Sequence, residues 1–314
     1  KLFITFFYFF LASILTVIVA INKIESLVRI TDFYCVLSSL FIISYFTYYR
    51  LIRPLTLLKI VLISLIFDLL GSYFQVYQIY EFNQSFSIKN AGDVKSFYPN
   101  KNIASFVYMT KVLLISLIPF QTKNKLLRII VVITAFLTLS IIFILSTRAM
   151  LILILLIIAL ILILSLVKVF LYKHSVLKII LKLKHFLIPL FLSFIMFNII
   201  VVENESDINV NDRVGSVFNE TDESVANRTR FYLSALSQIK STPVLGIGVG
   251  NWRIKGIQWD KEFMYSYVVP YNVHNDFLEV FAETGVIGFI PFVMFFYFIF
   301  IKIYKKSMLF LKED

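Results

Sequence analysis

The chain has 314 residues, 59% of them hydrophobic and only 16% charged, and its mean hydropathy is +0.86. Soluble domains run near 45–50% apolar and about 25% charged, so an ordinary soluble domain is excluded. The net charge of +11 sits mainly between apolar runs, where membrane orientation explains it, and nucleic acid is not expected as a partner. The single cysteine, Cys35, lies inside an apolar run, which rules out a disulfide framework or a cysteine-based metal site.

Eight apolar segments follow in order, at 2–21, 33–49, 55–77, 102–120, 126–145, 150–172, 186–202 and 285–304. Each is near the ~20 residues that cross a hydrocarbon core as a helix. Unbroken runs such as LILILLIIALILILSLV do not alternate as barrel strands would, so the expected fold is all-α, a polytopic membrane helical bundle. The first segment has no small-residue cleavage site and reads as a span, not a signal peptide. The chain begins with Lys1 rather than Met, and N-terminal truncation or processing is expected.

With the N-terminus in the cytoplasm, inside segments carry 16 of the 30 lysines and arginines, and the short outside loops carry six: Lys23, Arg29, Lys89, Lys95, Lys101 and Arg148. That asymmetry places both termini inside and the long loop outside, in a periplasm or its equivalent. The expected division is 1–202 for seven transmembrane helices, 203–284 for a long periplasmic loop, and 285–314 for the last span and a cytoplasmic tail, all in one membrane domain.

Between the spans, the sequence YPNKNIAS reads as a turn into the fourth helix, with Asn102 as a possible cap. Asp68 and Lys111 fall within predicted helices, where charge usually faces the bundle interior. Arg148, in STRAML between two apolar helices, is either an arginine snorkelling to the interface or an anion ligand. His174 and His185 lie in a basic cytoplasmic segment.

The long loop opens with an acid-rich stretch, 203–222, expected to be irregular surface and without a D-x-D pattern. Phe231, Leu233, Leu236 and Ile239 then mark a short amphipathic helix stopped by Pro243. Arg228 and Arg230 are expected in its first turn, where positive charge fits the helix dipole only if an anion binds there. GIGVG (246–250) lacks dinucleotide-binding spacing and reads as a tight turn that lets backbones approach closely. Asn275 or Asp276 can cap a helix that carries Glu279 and Glu283 on one face. The run from Asp276 to Tyr304 is too long for one perpendicular span, and Gly285, Gly288 and Pro291 allow a break. His274 offers a general base near neutral pH, and arginine a fixed fork for phosphate oxygens. No nucleophile elbow and no zinc ligand set is apparent, so neither metal nor cofactor is expected. One histidine with arginines at the outer surface suits a reaction on a lipid-linked phosphate.

RTRFYLSALSQIKSTPVLGIGVGNW followed by HNDFLEVFAETGVIG resembles the bacterial O-antigen ligase family, which also holds O-antigen polymerases and protein O-oligosaccharyltransferases. STRAML and YPNKNIAS are similar to further segments of that family, and the likeness runs from Tyr98 to Gly288. Tyr232 stands where the family usually has Trp, and the family bundle is usually longer than eight spans. The resemblance implies metal-independent glycosyl transfer from an undecaprenyl diphosphate-linked glycan to a hydroxyl of lipid A-core, another glycan or a protein, at the bacterial inner membrane. It implies that His274 orients or deprotonates the acceptor, and that Arg148 and Arg228 bind the diphosphate. Arg230 competes with Arg228, which fits the family spacing better. Glu279, Glu283, Asn275 and Asn100 are then supporting or substrate contacts. A polysaccharide exporter or flippase would also need basic residues, but no internal repeat is visible. A membrane O-acyltransferase is less favoured by the arginine pattern.

Overall fold

The computed structural model describes residues 1–83, 94–145, 147–172, 176–203, 223–260 and 271–312. Every regular element among them is helical. Seven helices are long and apolar enough to cross a membrane. The seventh expected segment, 186–202, lies in a helix whose apolar part, Leu183–Ile199, is shorter. The expected irregular stretch after Glu203 lies outside the described residues. By compactness the chain forms two units, Lys1–Tyr49 with Asn219–Asp314, and Arg50–Phe218.

The first unit begins with α1, Leu2–Leu15, continues through a 3-10 turn, Thr16–Val19, and enters α2, Lys23–Tyr48. The sequence reading started this helix ten residues later. The difference is a cap: Asn22 Oδ1 accepts the N–H groups of Ile24 and Glu25 at 3.1 and 3.2 Å, so Lys23 and Arg29 are helical rather than loop residues. The C-terminal part of the unit supplies α9, Glu223–Ser241, α10, Trp252–Asp260, and α11, Asp276–Lys312. An aromatic seam joins α1 and α2 to α11. Phe9 is almost fully buried, with its ring 4.9 Å from Phe33 and 5.2 Å from Phe292, within the range where tilted aromatic pairs attract.

Helix α11 is broken at Gly285, as its length and glycines suggested. Gly285 has φ 59° and ψ −166°, a region open essentially to glycine alone. A break in a helix strands carbonyls before it and N–H groups after it. Here residues 243–248 take both sets. Ile247 and Gly248 donate to the carbonyls of Ala282 and Glu283 at 3.1 and 2.9 Å, while Val286 and Ile287 donate to those of Pro243 and Val244 at 2.9 and 3.4 Å. The GIGVG run follows this path because Gly246, Gly248 and Gly250 all have positive φ. At Gly248 a Cβ would lie 2.5 Å from that of Ala20, so the loop touches the α1–α2 corner. Val249 N–H donates to Thr16 Oγ1 at 3.2 Å, and Ser26 Oγ donates to the Val249 carbonyl at 2.6 Å. Asn251, fully buried, accepts the Asn22 N–H at 2.8 Å and donates to Ser26 Oγ at 2.9 Å. One loop thus joins the N-terminal hairpin to the broken helix.

The second unit contains α3, Pro54–Asn83, α4, Lys101–Ile115, a single turn α5, Ile118–Gln121, α6, Lys125–Leu145, α7, Arg148–Tyr172, and α8, Val176–Glu203. Its core includes Leu65, Val112, Leu139 and Ile142, all fully buried. The charges expected inside helices find each other: Lys111 Nζ is 2.6 Å from Asp68 Oδ2 and also donates to Ser64 Oγ at 2.7 Å. Tyr98 donates to the same Asp68 oxygen at 3.0 Å. Mutual satisfaction is what such charges require at membrane depth.

Gly285→Ala is expected to lose most of the folded protein. The new Cβ would sit 2.1 Å from the Val244 carbonyl oxygen, and the backbone conformation itself costs about 1–3 kcal/mol for a non-glycine residue. Thermal unfolding of detergent-extracted protein, compared with Gly285→Ser and wild type, checks this: a wild-type midpoint for the alanine variant would contradict the break described here.

Candidate active site

The first unit brings Arg228, Arg230, His274, Asn275, Glu279 and Glu283 onto α9 and the start of α11. Helix α9 opens at Glu223, so Arg228 is its sixth residue and Arg230 its eighth. Neither is in the first turn, and the dipole argument for an anion at that end lapses. The reason is that the helix starts earlier than its apolar periodicity does.

The two arginines have different surroundings. Arg230 is buried, and its Nε lies 2.8 Å from Oδ1 of the fully buried Asp260. Burial raises the Asp260 pKa, and the Arg230 guanidinium opposes that rise. Arg230 also lies 5.0 Å from the Phe231 ring centroid, within cation–π range. Arg228 is exposed and, among the described residues, has no carboxylate partner. Of the two arginines of α9, Arg228 is the one whose side chain faces outward.

His274 is exposed and left-handed, with φ 59°, an uncommon conformation outside glycine and asparagine. Its neighbours constrain it from several sides. Its ring stacks on Phe231 with centroids 5.9 Å apart and planes 23° from parallel. Tyr232 Oη donates to its carbonyl at 3.4 Å. Asn275 Oδ1 caps α11, accepting the N–H groups of Phe277 and Leu278 at 3.1 and 3.2 Å. Partial desolvation lowers the His274 pKa, and the nearby Arg228 charge lowers it further. Both effects favour the neutral imidazole, the form able to accept a proton.

The two glutamates are held by the backbone. Glu279 Oε2 accepts the Val273 N–H at 2.9 Å, and its Oε1 lies 3.5 Å from Arg29 Nη2. Glu283 is buried, and its Oε1 accepts the Trp252 N–H at 2.9 Å. Both contacts hold the loops around His274.

Arg148 and Asn100 belong to the second unit. Arg148 is the first residue of α7, and its side chain lies outside the described residues. Asn100, rather than Asn102, caps α4, its Oδ1 accepting the Asn102 and Ile103 N–H groups at 3.0 Å each. Among the described residues no three His, Cys, Asp or Glu side chains come together as a metal site.

Sequence reasoning missed Arg29, Asn251 and Asp260. Asn251 follows the glycine run directly, a usable signal that polar chemistry continues past it. Arg29 was counted as a loop charge only. Asp260 lies thirty residues from Arg230, and no local pattern pairs them.

Helical spans, a broken last helix and an Arg–His face define a polytopic membrane protein with a polar reaction surface. The O-antigen ligase family model matches residues 133–293, just over half of the chain, and the chain belongs to that family. No curated protein and no solved structure gives a significant match. Membership assigns a role in membrane glycan transfer during polysaccharide synthesis, with a lipid-linked glycan and an acceptor as partners in general terms.

Removing the Arg228 charge by Arg228→Gln is expected to raise the His274 pKa toward the ordinary value of about 6.5. Carbethoxylation of His274 against pH, in a chain with His174 and His185 replaced by Gln, reads this directly. The variant midpoint should lie above that of the parent; identical midpoints would remove the coupling.

Proposed function

We propose that this protein moves a glycan from undecaprenyl diphosphate to an acceptor hydroxyl, in the manner of an O-antigen ligase. The observation that carries the reading is the pairing of an exposed His274 with an exposed Arg228 inside the family-matched stretch. In the reaction the acceptor oxygen attacks the anomeric carbon while the bond from that carbon to the diphosphate oxygen breaks. His274 takes the acceptor proton, a contribution of about 10²–10⁴-fold for a positioned base. Arg228 binds the diphosphate and offsets the charge that builds on it as the bond breaks. No metal is required by this scheme, because the guanidinium supplies the positive charge.

The acceptor is a sugar hydroxyl of lipid A-core in this reading, with O-antigen or capsule polymerisation and protein O-glycosylation as the other family outcomes. The distribution of lysine and arginine between short loops supports a cytoplasmic-membrane location with residues 203–284 on the periplasmic side.

Deletion of the gene in the producing organism, complemented with wild type or variants, tests the scheme. His274→Ala and Arg228→Ala are expected to lose at least about 100-fold in transfer at unchanged protein level. Arg230→Ala is expected to lower the amount of folded protein by stranding Asp260. Long glycan held on the carrier beside unmodified lipid A-core identifies a ligase. Single repeat units identify a polymerase, and loss of glycoprotein alone a protein glycosyltransferase. Full transfer by His274→Ala would reject the assignment of the base.

A further inference from the structure

We infer that Arg29, in the first part of α2, is a positioning residue for His274. The inference rests on the reading of His274 as the base, and extends the site to a membrane helix outside the family-matched residues 133–293.

The chain of contacts is short. Arg29 Nη2 lies 3.5 Å from Glu279 Oε1, and Arg29 Nη1 lies 3.9 Å from Asp32 Oδ2. The second oxygen of the same Glu279 accepts the Val273 N–H at 2.9 Å. Val273 is fully buried and immediately precedes His274. One carboxylate therefore links a guanidinium on α2 to the peptide unit that leads into the histidine.

That peptide unit is where control is needed. A left-handed non-glycine residue is disfavoured and persists where its surroundings over-determine it. At His274 the following carbonyl is held by a long contact from Tyr232 and the next side chain by its capping role. Among the described residues the Val273 N–H is the contact that fixes the entry to the turn, and its acceptor is Glu279. A half-buried carboxylate needs an opposite charge to remain a strong acceptor, and among the described residues Arg29 is the cation paired with it. Asp32 steadies the guanidinium one helical turn further on. Arg253 also acts on Glu279 through its charge, but its Nη1 lies 3.8 Å from Glu25 Oε2, and among the described residues Arg29 makes the ion pair with Glu279.

The test measures transfer from purified lipid-linked glycan in membranes, at varied donor concentration. Arg29→Ala is expected to lower the maximal rate about tenfold while leaving half-saturation within about twofold, the pattern of a lost reaction-step interaction. Arg29→Lys, which keeps the charge, is expected to recover part of the rate and covers the case in which the alanine variant fails to fold. Glu279→Gln should lose a similar factor, and Arg29→Lys combined with Glu279→Gln should lose no more than Glu279→Gln alone. Carbethoxylation of His274, in the chain lacking His174 and His185, should change in rate when Arg29 is replaced. A wild-type rate for Arg29→Ala beside an inactive His274→Ala would overturn this role alone. Multiplying losses in the double variant, or unchanged His274 reactivity, would also overturn it. A wild-type rate for His274→Ala would instead reject the reading on which it depends.

Discussion

The break in α11 is the constraint around which the first unit is arranged. A helix interrupted among apolar spans strands backbone groups that water cannot reach, and each must be satisfied by protein. The segment 243–248 does this with two N–H donors and two carbonyl acceptors. Because that segment must lie against the break, its glycines must accept positive φ. Because the glycines bring it against Ala20, Asn251 can reach the α1–α2 corner. The tight glycine run and the buried asparagine are therefore consequences of one interruption.

The same interruption places the reactive face. The stretch of α11 before Gly285 carries Glu279 and Glu283 out of the apolar run, and His274 stands just ahead of its cap. Buried groups form the support: Glu283 on the Trp252 N–H, Arg230 on Asp260, Asn251 on Asn22. Arg228 and His274, the two groups used in the proposed reaction, are exposed. A site of this kind separates rigidity from chemistry, since supporting side chains already committed to buried partners do not reorganise when substrate arrives.

Much of this was legible in local sequence. Apolar length marked the spans, Gly285 and Gly288 with Pro291 marked a break, and Asn275 or Asp276 marked a cap, because each of these is decided within a few residues; the structure selects Gly285 and Asn275. Helix starts set by capping rather than apolar periodicity were not legible: α2 begins at an asparagine cap and α9 well before Phe231. The separation of Arg228 from Arg230 was reached by spacing, but its physical basis, the Asp260 partner, is tertiary. Arg29 shows the same limit more sharply. Its charge was visible, yet its partner Glu279 lies 250 residues later and on the other arm of the unit.

The depressed basicity of His274 acquires a meaning on the proposed reading. Burial, and after it the Arg228 charge, lowers the imidazole pKa. A diphosphate bound to Arg228 would cancel that field, so the imidazole becomes a stronger base when the donor is in place. The arginine then does two things with one charge, binding the leaving group and making the basicity of the histidine depend on whether that group is present.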